Sequence, residues 1–341
     1  MERSLWWPSL IPKILQRPLR AIWRNISRGP RGMVSSFPRM VAGWSRLVAE
    51  MPELLYIMGT ARSGSTILEI LLASGDSVFG GGELSCLIKD GFVHNTTCSC
   101  GVACMDCEVW GKVVEDMCLD RQELEAWAAL QQRVDWHDGF FRQMFRLLPD
   151  KDLERYRTLT SRLLEAISRT TGCAMVVDSS KYAGRALALA RVVGAGIKVV
   201  CLTRSPSGLM ASFQKQNKNE QRPKSPTAAL AYYLVTLASL RLAIWRLGRE
   251  NVFMLRYETL MANPEEVLES IGCWAGIDIK PTLRRLRRQK DFDVGHLVTA
   301  NRLRKRGRVR FNPSCSTIFP RGITARMVVI LMNLWRLGLG F

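Results

Sequence analysis

Apolar residues are grouped along the chain in short runs rich in β-branched side chains, and these runs alternate with stretches of helical periodicity. Each run has the length of a strand that is buried on both faces. Strands of this kind, separated by helices, predict an α/β fold in which a parallel sheet is flanked by helices. The ligand of such a sheet is expected outside the carboxyl ends of its strands. The predicted strands span residues 54–58, 174–177, 197–202 and 252–256.

A glycine-rich turn follows the first predicted strand. The P-loop of nucleotidases has the pattern G-x-x-x-x-G-K-[ST], and Gly59, Gly64 and Thr66 keep its frame. Ser65 occupies the lysine position, and the cation of the turn is Arg62. The free backbone N–H groups of the turn, and the positive end of the dipole of the helix that follows, still favour the binding of an anion. The sheet is therefore predicted to be P-loop-like, with a turn for a phosphate other than a γ-phosphate. A glycine-rich connection without a ligand is the alternative interpretation.

Polar and basic residues follow two further predicted strands. Lys181 comes just after the strand at 174–177, where an ammonium group balances charge on a transferring group. Arg204 follows the strand at 197–202, and Ser212 lies two turns along the next helix. Because the carboxyl ends of parallel strands meet at one edge of a sheet, we expect this pair to hold a second phosphate group. Each feature taken alone also has an ordinary structural explanation.

The formal charge of +19 is concentrated at the two ends of the chain. Residues 1–53 hold nine Lys or Arg against three acids, residues 280–341 hold fifteen against two, and residues 54–279 are neutral. Enzymes of nucleic acids usually have their basic surface on the working domain, so no nucleic-acid partner is expected.

The two ends are interpreted as basic extensions of a central domain. Residues 1–53 are rich in Trp, Arg and Pro, and residues 311–341 form the second extension. The first extension is either an interfacial contact with an anionic membrane or a solvated or domain-hugging segment. The second contains an apolar run at residues 327–335, too short to span a membrane, which predicts a docked or interfacial helix. No signal peptide or membrane-spanning anchor is evident in them, which predicts a cytoplasmic location, with or without peripheral membrane contact.

The central domain is predicted to span residues 54–310, with an insertion at residues 86–170. The insertion is expected to be largely helical and, from its position, to build an acceptor pocket or lid. Its first part is rich in cysteine. Four cysteines so close in sequence can hold a zinc ion, form one or two local disulfides, or remain free thiols. They are Cys98, Cys100, Cys104 and Cys107.

Together these motifs resemble the sulfotransferases that use 3′-phosphoadenosine 5′-phosphosulfate (PAPS), especially the bacterial and tyrosylprotein-sulfotransferase-like branch. The resemblance covers about residues 54–310 and implies PAPS as donor, with no metal required for transfer. It implies that the first turn binds the 5′-phosphosulfate, that Arg204 and Ser212 bind the 3′-phosphate, and that a late basic loop closes on the cofactor. Ala300 replaces the usual glycine of that loop. The cofactor-binding residues so implied are Arg62, Ser63, Gly64, Ser65, Thr66, Arg204, Ser212, Tyr257, Asn301 and Arg302.

The same resemblance assigns the catalytic groups of sulfuryl transfer. The reaction needs a base for the acceptor and positive charge near the leaving phosphate. Glu83, just after a second short strand, lies where the tyrosylprotein-like branch has its base, while Arg62 and Lys181 would stabilise the transferring group. A loop carboxylate that pairs with Arg62 is the alternative role for Glu83. His94 is the rival base, and His137 is expected only as a helix residue.

Two other functions fit parts of the sequence. A P-loop-like kinase or NTPase would use Asp178 to hold magnesium, but Ser65 removes the lysine that a γ-phosphate requires. A basic membrane-associated adaptor would depend on the extensions alone. We favour a sulfotransferase with a nucleotide donor and a hydroxyl or amine acceptor, because motifs at several strand ends agree. Carbohydrates, lipids, peptides and small molecules all remain open as acceptors.

Overall fold

A computed structural model describes most of the central part of the chain. Of the predicted features, residues 1–50 of the N-terminal extension, Ala300 and Asn301 of the late basic loop, and residues 314–319 of the C-terminal extension lie outside the described residues. The described residues are 51–214, 224–298, 302–313 and 320–341. Their strands are β1 Glu53–Gly59, β2 Val78–Gly80, β3 Met175–Lys181, β4 Lys198–Thr203, β5 Val252–Arg256, β6 Phe292–Asp293 and β7 Arg308–Val309.

Helices connect and cover these strands. The first part of the chain has α1 Ser65–Leu72, α2 Leu84–Cys86 with a π-helical turn Leu87–Val93, α3 Trp110–Met117, α4 Arg121–Asp135, α5 His137–Met144 and α6 Asp150–Thr171. The second part has α7 Ala183–Val193, α8 Pro206–Gln214, α9 Pro226–Leu247, α10 Tyr257–Ala262, α11 Pro264–Ala275, α12 Lys280–Arg287 and α13 Ile323–Gly338.

Five strands form one parallel sheet in the order β2-β3-β1-β4-β5. The predicted α/β class is confirmed. All four predicted strands are present, and three of them lie within one residue of their predicted ends. β3 continues four residues beyond its predicted end at residue 177, so Lys181 is the last residue of this strand and does not follow it. β6 and β7 form a separate antiparallel pair. The segment between β2 and β3 consists of α2 to α6. The sheet and its helices thus place five carboxyl ends of strands at one edge.

The central strand shows why the sheet is covered on both faces. Successive side chains of a strand point to opposite faces. Leu54, Tyr56 and Met58 enter the apolar core that contains residues of α3, α4, α6, α7 and α9. Leu55 and Ile57 enter the other core, with residues of α1, α11 and α12. A strand buried on both faces has no polar alternation, which is why its sequence is a continuous apolar run.

Two apolar helices pack side by side near the end of the chain. By length and composition α9 could cross a membrane, with a mean hydropathy of 1.5, yet Tyr233, Leu237 and Leu240 on its inner face belong to the protein core. α13 buries Val328 and Met332 in the same core and leaves other apolar side chains exposed. The predicted contact of this end with an anionic membrane stays a prediction.

Candidate active site

The carboxyl ends of β1 and β3 open into a cavity of about 570 Å³. Chain order reverses beside β1, since β2 and β3 lie on one side of it and β4 and β5 on the other. Open α/β sheets bind their ligands at this point of reversal. The cavity is lined by seven of the residues that define the predicted turn and the predicted catalytic site, which are Gly59, Arg62, Gly64, Ser65, Thr66, Glu83 and Lys181.

The turn between β1 and α1 depends on close approach of its backbone to neighbouring elements. Arg62 has a φ of 63° and Gly64 a φ of 90°, both in the left-handed region. A Cβ atom on Gly64 would lie 2.6 Å from the ring of Tyr257. A Cβ atom on Gly59 would lie 2.0 Å from the carbonyl oxygen of Leu202. The two glycines therefore allow the turn to pack against α10 and β4.

The turn also presents polar groups that suit an anion. Ser63 is buried, and its Oγ has no hydrogen-bond partner among the described residues. Ser65 and Thr66 begin α1 and line the cavity, and within the described part of the chain no side chain caps this helix. The N–H groups of an uncapped first turn and the helix dipole stabilise a bound anion. By contrast, the Ala61 N–H donates to the hydroxyl of Tyr232 at 2.7 Å.

Arg204 connects the turn to α10. Its Nη1 donates to the carbonyl oxygen of Arg62 at 2.9 Å, and its guanidinium carbon lies 4.4 Å from the centre of the Tyr257 ring. The Nε of Arg204 is buried and has no hydrogen-bond partner among the described residues. Arg62 in turn donates from Nε to the Oγ of Ser212 at 3.0 Å. The two phosphate sites predicted as separate are thus linked through Arg62.

Glu83 and Lys181 form an ion pair on the cavity wall. Their side chains are 21% and 20% exposed, so both remain accessible from the cavity. Lys181 ends β3 with a φ of 74°. The register of β3 against β1 shifts between Tyr56 and Met58, so β3 has a bulge just before this lysine. A bulge changes the direction of a side chain at a strand end, and here the ammonium group reaches the Glu83 carboxylate.

A buried carboxylate that the sequence motifs did not reveal supports this wall. Glu69 lies on α1 and accepts hydrogen bonds from the Gly82 N–H and, at 2.6 Å, from the Ser179 hydroxyl. Burial raises the pKa of Glu69 from 4.5 to about 8. Gly82 directly precedes Glu83, and Ser179 is two residues before Lys181. Glu69 therefore holds together the two segments that carry the ion pair.

A second buried polar cluster joins the insertion to the sheet. Arg185 on α7 donates to Asp178 of β3 at 2.7 Å and also to Asp135 of α4. Tyr156 of α6 donates to Asp135 at 2.7 Å. Burial raises the pKa of Asp135 to about 6, against the opposing effect of the Arg185 charge. Because Asp178 is already bound to Arg185 and to Ser180, the kinase interpretation loses its predicted magnesium ligand.

Comparison with protein families decides the assignment of the chain. A family model described as the sulfotransferase family matches residues 53–281, about two thirds of the sequence. The chain belongs to this family. No curated protein matches it.

Three solved structures with similarity to this chain are also sulfotransferases. The sulfotransferase domain from the curacin biosynthetic pathway is 17% identical, with 83% of this chain and 98% of that chain covered and a TM-score of 0.43. The sulfotransferase domain of the Synechococcus PCC 7002 olefin synthase is 16% identical over 83% and 95% of the two chains, with a TM-score of 0.40. Sulfotransferase STF9 from Mycobacterium avium is 14% identical over 72% and 69%, with a TM-score of 0.42. With values this low, the assignment rests on the family match.

Aromatic side chains that the sequence motifs did not single out form another wall of the cavity. Trp136 and Tyr182 stack with ring centres 6.2 Å apart and planes inclined by 17°. Phe213 and Tyr232 line the cavity as well. They come from four different elements or loops, so no local sequence pattern connects them. Such rings provide flat apolar faces against which a nucleobase or an acceptor can pack.

The rival base His94 is not among the described residues that line the cavity, and the late basic loop reaches the cavity through one described side chain. His94 is exposed at the end of the π-helical turn. His137 begins α5, as a helix residue. Arg302 begins the turn Arg302–Arg306, in which Arg304 lines the cavity. Arg304 is the last residue of the predicted late basic loop, whereas cofactor binding was assigned to Asn301 and Arg302.

The structure changes the predicted group of four cysteines. Cys98, Cys100 and Cys107 come together with His296, and the four ligand atoms lie within 4.8 Å of one another. This group is the Cys₃His cluster. Cys104 is not part of it, because its sulfur packs against Gly91 of the π-helical turn, where an added Cβ atom would lie 2.9 Å away. The separation of 189 residues between Cys107 and His296 explains why sequence spacing did not reveal the fourth member.

Proposed function

We propose that the protein transfers a sulfuryl group from PAPS to a hydroxyl or amine acceptor. The observation that carries this proposal is the Glu83–Lys181 ion pair beside the glycine-rich turn in one cavity. A carboxylate that can accept a proton and an ammonium that can stabilise a leaving phosphate are the two groups this reaction needs. Membership of the sulfotransferase family supports the same reaction class.

The described residues fit the 5′ end of such a donor. In this proposal residues 62–66 hold the 5′-phosphosulfate, with N–H groups at the start of α1 directed to the phosphate. Ser63 supports the assignment because its buried Oγ has no partner among the described residues. Arg62 adds a positive charge in the same turn.

The 3′-phosphate is proposed to lie next to Arg204 and Ser212. The buried Nε–H of Arg204, which has no partner among the described residues, would donate a charge-assisted hydrogen bond to an anion there. Tyr257 packs against both the turn and Arg204, so it would flank the nucleotide. Asn301 and Arg302 are proposed to close on the nucleotide from the late loop.

The catalytic roles follow from the charges around Glu83. Bound PAPS would supply the activated sulfuryl group. Glu83 would accept the proton from the nucleophilic oxygen or nitrogen of the acceptor. In the structure its carboxylate is paired with Lys181, and a shift of the ammonium group toward the bridging oxygen of the donor would release the carboxylate to act as a base. Arg62 would stabilise charge on the transferring group.

The reaction itself is tested by transfer of label. The full-length protein is incubated with PAPS that carries a radioactive sulfuryl group, together with lipid, glycan and protein extracts. We expect label to appear in one of these fractions and to depend on Glu83. Absence of label from every fraction, with the active-site variants behaving like the parent, would contradict the proposal.

The Glu83→Gln substitution tests the base. It keeps the size of the side chain but removes its ability to accept a proton, so we expect transfer to fall by about 10²- to 10⁴-fold. Affinity for adenosine 3′,5′-bisphosphate, measured by calorimetry, should stay nearly the same. Glu115→Gln, at an exposed position on α3, is the matched control. Full turnover by Glu83→Gln would show that another group is the base.

A further inference from the structure

The Cys₃His cluster has the dimensions of a metal site. The sulfur of Cys107 lies 3.7 Å from that of Cys98 and 3.7 Å from that of Cys100. The Nδ1 atom of His296 lies 3.2 Å from the sulfur of Cys107. Two sulfur atoms bound to one tetrahedral zinc ion, at about 2.3 Å each, are about 3.8 Å apart. A disulfide would need them at about 2.05 Å.

The backbone around the cluster holds its two distant segments together. The Ser99 N–H donates to the carbonyl oxygen of Leu297 at 2.9 Å, and the Leu297 N–H donates to the Ser99 hydroxyl at 2.7 Å. The indole N–H of Trp110 donates to the carbonyl oxygen of His296 at 2.6 Å. These hydrogen bonds hold the cysteine loop of the insertion against the segment that contains His296. The three cysteine side chains and His296 are therefore already close enough to share a ligand without any movement of the backbone.

The histidine also has the partner that metal-bound histidines usually have. Nε2 of His296 lies 3.3 Å from the carboxylate of Glu108. A hydrogen bond from Nε2 to a carboxylate leaves the lone pair of Nδ1 free to bind a metal and fixes the orientation of the ring. Nδ1 is the nitrogen that faces the sulfur of Cys107.

We propose that Cys98, Cys100, Cys107 and His296 bind one structural zinc ion. Four protein ligands fill a tetrahedral site, so the ion has no open position and takes no part in chemistry. Its role is to fasten the insertion to the segment that leads to the late basic loop. From that loop Arg304 donates to the carbonyl oxygen of Val298 and reaches the cavity wall. The ion thereby fixes the approach of this loop to the cavity.

Metal content of the purified full-length protein tests the site directly. We expect about one zinc ion per chain in the parent and in Cys104→Ser, and about a third of that or less in Cys100→Ser and in His296→Gln. Cys104→Ser is the matched control because Cys104 is a neighbouring buried cysteine outside the cluster. Retention of zinc by His296→Gln with its loss from Cys104→Ser would overturn the ligand set in favour of four cysteines.

Cobalt titration keeps the test independent of how well the variants fold. The parent protein, freed of metal under reducing conditions, should bind about one Co²⁺ per chain with the visible absorption of a tetrahedral thiolate site. Failure of the reduced parent to bind either Co²⁺ or Zn²⁺ would overturn the proposal. So would an intact mass that is lower by two hydrogens, with a disulfide mapped between two cysteines of the cluster.

The effect on the late loop rests on the proposed function and is measured separately. Cys100→Ser should bind adenosine 3′,5′-bisphosphate at least about threefold more weakly than Cys104→Ser does. Equal affinities, with zinc lost only from Cys100→Ser, would overturn the fastening role. If the zinc-loaded parent does not bind the nucleotide, the proposed function fails while the metal content still decides the metal site.

Discussion

Arg204 is the residue that joins the turn between β1 and α1 to Tyr257 at the start of α10. It donates to the turn through the carbonyl oxygen of Arg62 and stacks on Tyr257. We expect Arg204→Ala to weaken binding of adenosine 3′,5′-bisphosphate at least about tenfold, because a hydrogen bond to a charged group contributes about 1.5–3 kcal/mol. Calorimetric titration measures the change. Arg241→Ala, at an exposed position of α9, is the control, and equal affinities of the two variants would contradict the assignment.

Glu69 is a residue whose ionisation changes the stability of the fold. Its folded-state pKa of about 8 is above the usual 4.5 because of burial. Between these pH values the folded protein binds more protons than the unfolded chain, so this residue lowers the free energy of unfolding as the pH rises. The loss is at most about 1.4 kcal/mol per pH unit.

Glu69→Gln should remove this pH dependence. Urea denaturation of both proteins at pH 6 and pH 8 measures it, and effects of all other titrating groups cancel in the difference. We expect the parent to lose stability relative to the variant between the two pH values. If the free energies of unfolding of the parent and the variant changed equally between pH 6 and pH 8, Glu69 would be ionised in the folded protein at both pH values.

The turn between β1 and α1 is the element on which the proposed nucleotide binding depends most. Gly64→Ala introduces a Cβ atom both at a φ of 90° and 2.6 Å from the ring of Tyr257. Gly172→Ala, at the end of α6, meets the same kind of backbone strain at a φ of 71° but has open space around it. Each substitution should cost about 1 kcal/mol of stability through its backbone.

Only Gly64→Ala should also weaken nucleotide binding, because its new Cβ atom displaces the ring of Tyr257, whereas Gly172→Ala displaces no side chain. We expect its affinity for adenosine 3′,5′-bisphosphate to be at least about tenfold lower than that of Gly172→Ala. Fluorescence or calorimetric titration of the two folded variants gives the comparison. Similar affinities would show that the ring of Tyr257 is free to shift without effect on the site.

At the scale of elements, local sequence was informative wherever the determinant is local. The four predicted strands are continuous apolar runs because both faces of the sheet are covered, and the turn at Gly64 is visible from its spacing. Partners distant in sequence were not predictable in this way. The residues around Glu69 give no indication of its hydrogen bond to Ser179, and those around Cys107 give no indication of its contact with His296. In both cases the fold, and not the spacing, brings the groups together.

At the scale of the whole molecule, the buried cluster around Arg185 joins the insertion to the sheet. This side chain is 1% exposed and joins α4 of the insertion to β3 of the sheet through two aspartates. Arg185→Met would leave Asp135 and Asp178 buried without their cation, so we expect a loss of about 3–5 kcal/mol in the free energy of unfolding. Urea denaturation followed by circular dichroism measures it.

A surface ion pair in the same region is the comparison. Arg133 pairs with Asp152 at 3.0 Å while 54% exposed. Because solvent screens such pairs, Arg133→Met should cost no more than about 1 kcal/mol. If the two variants were equally stable, the buried cluster would not be what fastens the insertion to the sheet.

The backbone conformation of Lys181 lowers the stability of the fold, while its side chain is needed for the proposed reaction. A φ of 74° is one that glycine adopts without strain, whereas a residue with a Cβ atom is held there at a cost of about 1 kcal/mol or more. A selection for heat resistance alone would therefore favour glycine at this position and would delete the ammonium group beside Glu83. Selection for thermostability should therefore enrich glycine at position 181, whereas selection for turnover should keep lysine. Sequencing position 181 in the selected variants would show which of the two properties was under selection.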